Sequence, residues 1–126
     1  MNPNLLLIFF GAGFGGVSRY LVSTFVYTFL NRYFPFGTLV VNVSGCLLMG
    51  FLFTVLLNRF NESATALRAL LLIGFLGGYT TFSSFSVETI SLAENGAWLQ
   101  AILNILLSVM LCLSASWLGI ILGRHL

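Results

Sequence analysis

Lysine and aspartate are missing altogether from these 126 residues, and only eight side chains are charged: Arg19, Arg32, Arg59, Arg68, Arg124, Glu62, Glu88 and Glu94. Soluble domains carry about a quarter of their residues as charge; here the share is 6%. That scarcity excludes an ordinary soluble globular fold. The net charge of +2 is too small to attract nucleic acid. Histidine occurs once, at His125 beside the C-terminus, and no nucleophile has a base at recognisable spacing, so catalysis is not expected. Cysteine is limited to Cys46 and Cys112, both in apolar runs where thiols usually behave as small hydrophobes, and a structural disulfide is not expected. Met1 to Asn4 lacks the basic stretch that opens a cleavable signal peptide, so the first apolar run reads as a permanent helix.

What the chain does have is apolar length: 59% of its residues are hydrophobic. Residues 5–30, 38–57, 67–92 and 97–122 each reach the roughly 20 residues that cross a hydrocarbon core about 30 Å thick. The reading is an all-α integral membrane protein of four transmembrane helices in a single domain. An even number of spans puts both termini and the 58–66 loop on one side, where Arg59, Arg68 and Arg124 stand against Arg32 on the other. That bias leans towards cytoplasmic termini, yet it is small enough for a chain to insert both ways round. An antiparallel dimer would then be available. Small residues four apart, Gly11 with Gly15, Gly74 with Gly78 and Gly119 with Gly123, allow close helix contacts either within one subunit or between two.

The third span carries the strongest anomaly, running Gly74-Phe75-Leu76-Gly77-Gly78-Tyr79-Thr80-Thr81-Phe82-Ser83-Ser84-Phe85. In hydrocarbon, irregular backbone survives only where it is buried in protein or lines a wet path. A break near residues 77–80 is expected, with carbonyls from Gly77 to Thr80 freed for a cation. Beyond it Phe82 and Phe85 share a helix face among hydroxyls, and ring edges carrying partial positive charge can solvate a small anion. Arg19 lies roughly 21 Å along the first span at 1.5 Å per residue, a depth at which a guanidinium faces a cavity or a partner unless it snorkels to an interface. Asn42 is either a pore donor or an amide that packs helices. Asn104, Ser108 and Cys112 recur at i, i+4, i+8 and form one polar stripe, either a track or a set of interhelical hydrogen bonds.

Taken together these residues resemble the Fluc (CrcB) fluoride channels over essentially the whole chain. The resemblance rests on Gly11-Ala12-Gly13-Phe14-Gly15-Gly16 with Arg19-Tyr20, on Gly37-Thr38 with Asn42 and Gly45, and on the run from Gly74 to Phe85 with Glu88. It implies an antiparallel, dual-topology homodimer in the bacterial inner membrane, with two fluoride pathways and a central structural Na⁺. Phe82 and Phe85 match the family's pore phenylalanines, Asn42 its pore amide, and Thr81 and Ser84 the neighbouring hydroxyls. Gly77 and Thr80 match its backbone-carbonyl Na⁺ ligands, and Arg19 its vestibule arginine. The family's polar track falls on Asn104, Ser108 and Cys112, although Tyr or hydroxyl residues usually form it and a thiol is a weaker donor. Glu88 matches a carboxylate near the pore end.

The function implied is passive, selective fluoride export from the cytoplasm. A proton-coupled exporter of the small multidrug type also uses four short helices, but it needs a deeply embedded carboxylate, whereas the deep charge here is Arg19. A purely structural subunit of a larger complex would explain the helices without explaining Arg19, Asn42 and the third-span break together.

Overall fold

The computed structural model describes residues 2–60 and 64–126. Glu62 and the centre of the 58–66 loop lie outside them. Four spans long and apolar enough to cross a membrane are present, the third of them interrupted. The first is α1 (Pro3–Phe29), which starts with Pro at its first turn and the Asn2 side chain accepting from Asn4 N–H at 3.0 Å. Proline suits that position because its missing N–H would have had no helical partner. The second is α2 (Phe36–Arg59). The third divides into α3 (residues 65–79) and α4 (Phe82–Glu94), and the last is α5 (Trp98–Arg124).

The connection from α4 to α5 is short because one glycine turns it. Gly96 adopts φ +79°, its N–H returns to Ala93 O at 3.0 Å, and Ala97 N–H returns to Leu92 O at 2.8 Å. Those two bonds satisfy last-turn carbonyls of α4, and a side chain at Gly96 would be strained in this left-handed conformation.

The helices pack as two main pairs, α1 with α3 and α2 with α5. Glycine makes both possible. A Cβ on Gly15 would collide with the Phe75 carbonyl, one on Gly11 with the Leu70 carbonyl, and one on Gly78 with the Ala12 backbone. Across the other pair, Gly119 meets the Leu47 carbonyl, Gly50 the Ser116 carbonyl, and Gly123 the Thr54 side chain. All three small-residue pairs noted in the sequence therefore join helices within one subunit. Gly13 and Gly16, by contrast, face open space.

Between the pairs lies a core of Val41, Leu56, Ala64, Leu72, Leu76 and Tyr79. Most large apolar side chains point outward, among them Phe9, Phe14, Tyr20 and Phe25 on α1. Water would not tolerate so much exposed apolar surface, so the bilayer is the solvent. This is a multi-pass membrane protein.

The interruption of the third span lies further along than the glycine pair suggests. Gly77–Tyr79 is still helical, and the extended residues are Thr80 (ψ 156°) and Thr81 (φ −150°, ψ 116°). Gly78 serves close approach to α1 and does not break the helix. The stretch Arg68–Leu76 just before it is wound as a π-helix, an uncommon geometry that is frequent at functional sites. Thr81 starts the next arm by capping it, its hydroxyl accepting from Ser84 N–H at 3.1 Å.

A candidate ion pathway

Two extended residues inside a membrane leave backbone groups that helix bonding no longer serves, and the Asn42 side chain takes up those of Thr81. Asn42 Oδ1 accepts from Thr81 N–H at 2.8 Å, and Asn42 Nδ2 donates to the Thr81 carbonyl at 2.9 Å. Asn42 is thus an amide that packs α2 against the break, and its Nδ2 has a second N–H beyond the one given to Thr81. The approach of α2 to the break requires Gly45, where a Cβ would strike the Thr80 methyl. Ser44 and Tyr79 join their hydroxyls at 2.9 Å, and Tyr79 stacks on Phe75 with ring centroids 5.9 Å apart. The start of the break is thereby fixed from both sides.

Two cavities flank this clamp. One, of about 320 Å³, is lined by Asn42, Cys46, Thr81, Phe82, Phe85, Ser108 and Cys112, with Thr80, Val109 and Leu113 completing the wall. It brings together six of the eight residues expected to line a pore. The Phe82 and Phe85 rings are 5.4 Å apart and tilted by 50°, with Phe82 78% exposed, so an edge can be offered to the cavity. The other cavity, of about 500 Å³, holds Arg19, Arg32, Thr38, Ser84 and Glu88 along with further hydroxyls from α1. Ser84 belongs to this second chamber. Thr81 belongs to both walls, and no other residue does.

Asn104 stands in neither chamber and is 1% exposed. Its Nδ2 donates to Thr89 Oγ1 at 2.9 Å, its Oδ1 accepts from Ser108 at 3.4 Å, and Thr89 in turn donates to the Phe85 carbonyl at 2.7 Å. Asn104 therefore ties α5 to α4 behind the Phe85 backbone, and of the polar stripe only Ser108 and Cys112 reach the cavity.

In the larger chamber, Thr38 donates to Glu88 Oε1 at 2.8 Å, while Glu88 Oε2 is buried with no hydrogen-bond partner. Arg32 lies over the Tyr27 ring with its guanidinium carbon 4.6 Å from the ring centre, a cation held at the chamber wall. The sequence reading missed Cys46 as a cavity residue, although it stands one helical turn from Asn42 and the i, i+4 spacing marks the shared face.

Cation ligands are scarce. Among the described residues, no three His, Cys, Asp or Glu side chains come together. Backbone oxygens are what remain. The helical geometry of α3 ends at Tyr79: the Leu76 carbonyl still accepts its helical partner, Thr80 N–H at 3.0 Å, together with Thr80 Oγ1 at 2.9 Å, whereas Thr81 N–H goes to Asn42 and not back to the Gly77 carbonyl. Gly77 lies on the exposed side of this helix end.

Comparison with known proteins finds matches over most of the chain. A family model described as "CrcB-like protein, Camphor Resistance (CrcB)" matches residues 6–120. A protein of Coxiella burnetii (strain Dugway 5J108-111), named "Fluoride-specific ion channel FluC", is 56% identical over 123 residues, spanning 98% of this chain and 99% of its own. A protein of the same name from Methylococcus capsulatus is 52% identical over all of this chain, which spans 55% of that relative's length. Another, from Magnetococcus marinus, is 47% identical over 90% of this chain and 92% of its own.

Proposed function

This chain belongs to the CrcB family, and from that premise we propose that it is a fluoride-selective channel through which the anion leaves a bacterial cytoplasm passively across the inner membrane. The observation that carries the reading is the meeting of two chambers at Thr81: a polar one with two arginines, and an apolar one with phenylalanine edges.

An anion enters the chamber of Arg19 and Arg32, where positive charge raises its local concentration. It passes the Thr81 and Ser84 hydroxyls and the spare N–H of Asn42, each able to replace a hydration water. Between Phe82 and Phe85, ring edges and the Ser108 hydroxyl hold it weakly enough to leave, as conduction requires. A small anion keeps more of its solvation in such a narrow site than a large one does. Cys112 adds only a weak S–H donor.

The working unit in this reading is an antiparallel homodimer with two such pathways. The exposed Phe82 and the open Gly13 and Gly16 faces leave room for a second copy. The carbonyls of Gly77 and Thr80 are neutral oxygens near the negative end of a helix and would suit a hard monovalent cation; Na⁺ held there would supply a fixed positive charge.

The deciding experiment is reconstitution of purified protein into liposomes with fluoride and chloride efflux followed separately. Fast fluoride efflux without chloride efflux is expected. No fluoride efflux, or equal rates, would overturn the reading. Fluoride flux that tracked a Na⁺ gradient would show coupling in place of a structural ion.

A further inference from the structure

Both cysteines of the chain open into the smaller chamber, Cys46 from α2 and Cys112 from α5. Both are free thiols of intermediate exposure, set in the wall of the same cavity on helices that pack against each other. Their neighbourhood is firmly built. One turn beyond Cys112, Ser116 donates to the Cys46 carbonyl at 3.3 Å, and Gly50 packs against the Ser116 carbonyl. The helix register that brings the thiols together is therefore not free to slide. An anion pathway has no need of two sulfurs, which are poor donors beside hydroxyls.

We propose that Cys46 and Cys112 form a two-sulfur site for a soft monovalent or divalent metal ion, of the class of Cu(I), Ag(I) and Hg(II), whose binding blocks the chamber. Two features point to that class. The ligands are sulfur, which selects soft ions over Na⁺, Mg²⁺ or Ca²⁺. No third His, Cys, Asp or Glu joins them among the described residues, so the four-ligand shell that zinc requires is not available. Ions that accept a two-coordinate, linear S–M–S geometry remain.

On binding, each thiol gives up its proton as a metal–sulfur bond forms, and the ion's water or halide ligands leave; no electron changes hands. An ion held by the two thiols would occupy part of the cavity that Phe82 and Phe85 also line. The metal site stands on the thiols alone, whereas its blocking effect rests on the channel reading above.

The test uses the full chain in liposomes titrated with Hg²⁺, read in two ways: the ultraviolet charge-transfer absorbance of mercury thiolate, which counts bound ions, and fluoride efflux. One ion per chain and loss of efflux are expected, reversed by a dithiol chelator. Cys46→Ser and Cys112→Ser should each weaken binding by at least about a hundredfold, the upper end of what loss of a group merely supporting a metal ligand costs. Cys→Ala versions repeat the measurement should a serine disturb folding. Two ions per wild-type chain, with each single variant still binding one equally tightly, would mean independent thiols and overturn the proposal. So would block that persists in the double variant. A chain that binds one ion but never conducts fluoride would leave the metal site standing and sink the channel reading instead.

Discussion

The two arms of the third span are made from adjoining sequence and held in opposite ways. α3 buries Ala69, Leu72, Gly74, Leu76 and Tyr79, and meets α1 backbone to backbone through glycines. α4 buries no residue fully; it rests on α5 through Asn104 and on α2 through Thr38, and gives Phe82 and Phe85 to the smaller chamber and Ser84 and Glu88 to the larger. One arm is an anchor, and the other is a wall. Asn42, bonded to the Thr81 backbone, marks the border between them.

This contrast can be broken first at the anchor. Gly15→Ala should be the most damaging substitution, because its methyl meets the backbone carbonyl of Phe75, which cannot swing aside as a side chain would. Overpacking of this kind costs about 1–3 kcal/mol or more. The expected result is a lowered unfolding temperature in detergent and little folded protein, while Gly13→Ala, whose methyl meets nothing within its own subunit, lowers the unfolding temperature less. Equal stability of the two variants would deny α3 its anchoring role.

At the border, Asn42→Ala leaves both backbone groups of Thr81 without partners, each at about 1–3 kcal/mol. Stability and fluoride efflux should fall together. If efflux fell alone, Asn42 would be a pore donor only.

On the wall, Phe82→Ile and Phe85→Ile should separate the two properties. Efflux is expected to drop by about tenfold or more, the equivalent of 1.4 kcal/mol in the barrier, while the unfolding temperature changes little because neither ring is fully buried. Unchanged efflux in both variants would make them packing residues. The smallest effect is expected from Glu88→Gln, which keeps an oxygen for Thr38. Efflux should change only modestly and gain no dependence on a pH gradient; abolished transport would favour a proton-coupled exporter.

Four spans were legible in the sequence because apolar length alone decides what crosses a membrane. An interrupted third span was legible too, since Gly, Thr and Ser cluster there. Its position was harder to read: glycines serve both close packing and breaks, and only tertiary contacts show that Gly78 does the first. The Asn42 clamp joins residues 39 apart, and no local pattern announces it. The stripe on α5 was visible as a stripe, but whether a member faces a chamber or a neighbouring helix depends on a rotation of the helix that periodicity leaves open. Asn104 turned to α4, and Ser108 and Cys112 to the cavity.

The paired bonds between Asn42 and Thr81 are those that two peptide groups exchange in an antiparallel ladder. A side chain here takes the place of the second strand, giving a single rung of sheet inside a helical protein. A kink held in that way behaves as a bolted joint and not as a soft hinge. The Thr81 amide should accordingly exchange its hydrogen as slowly as its helical neighbours, although its backbone is extended.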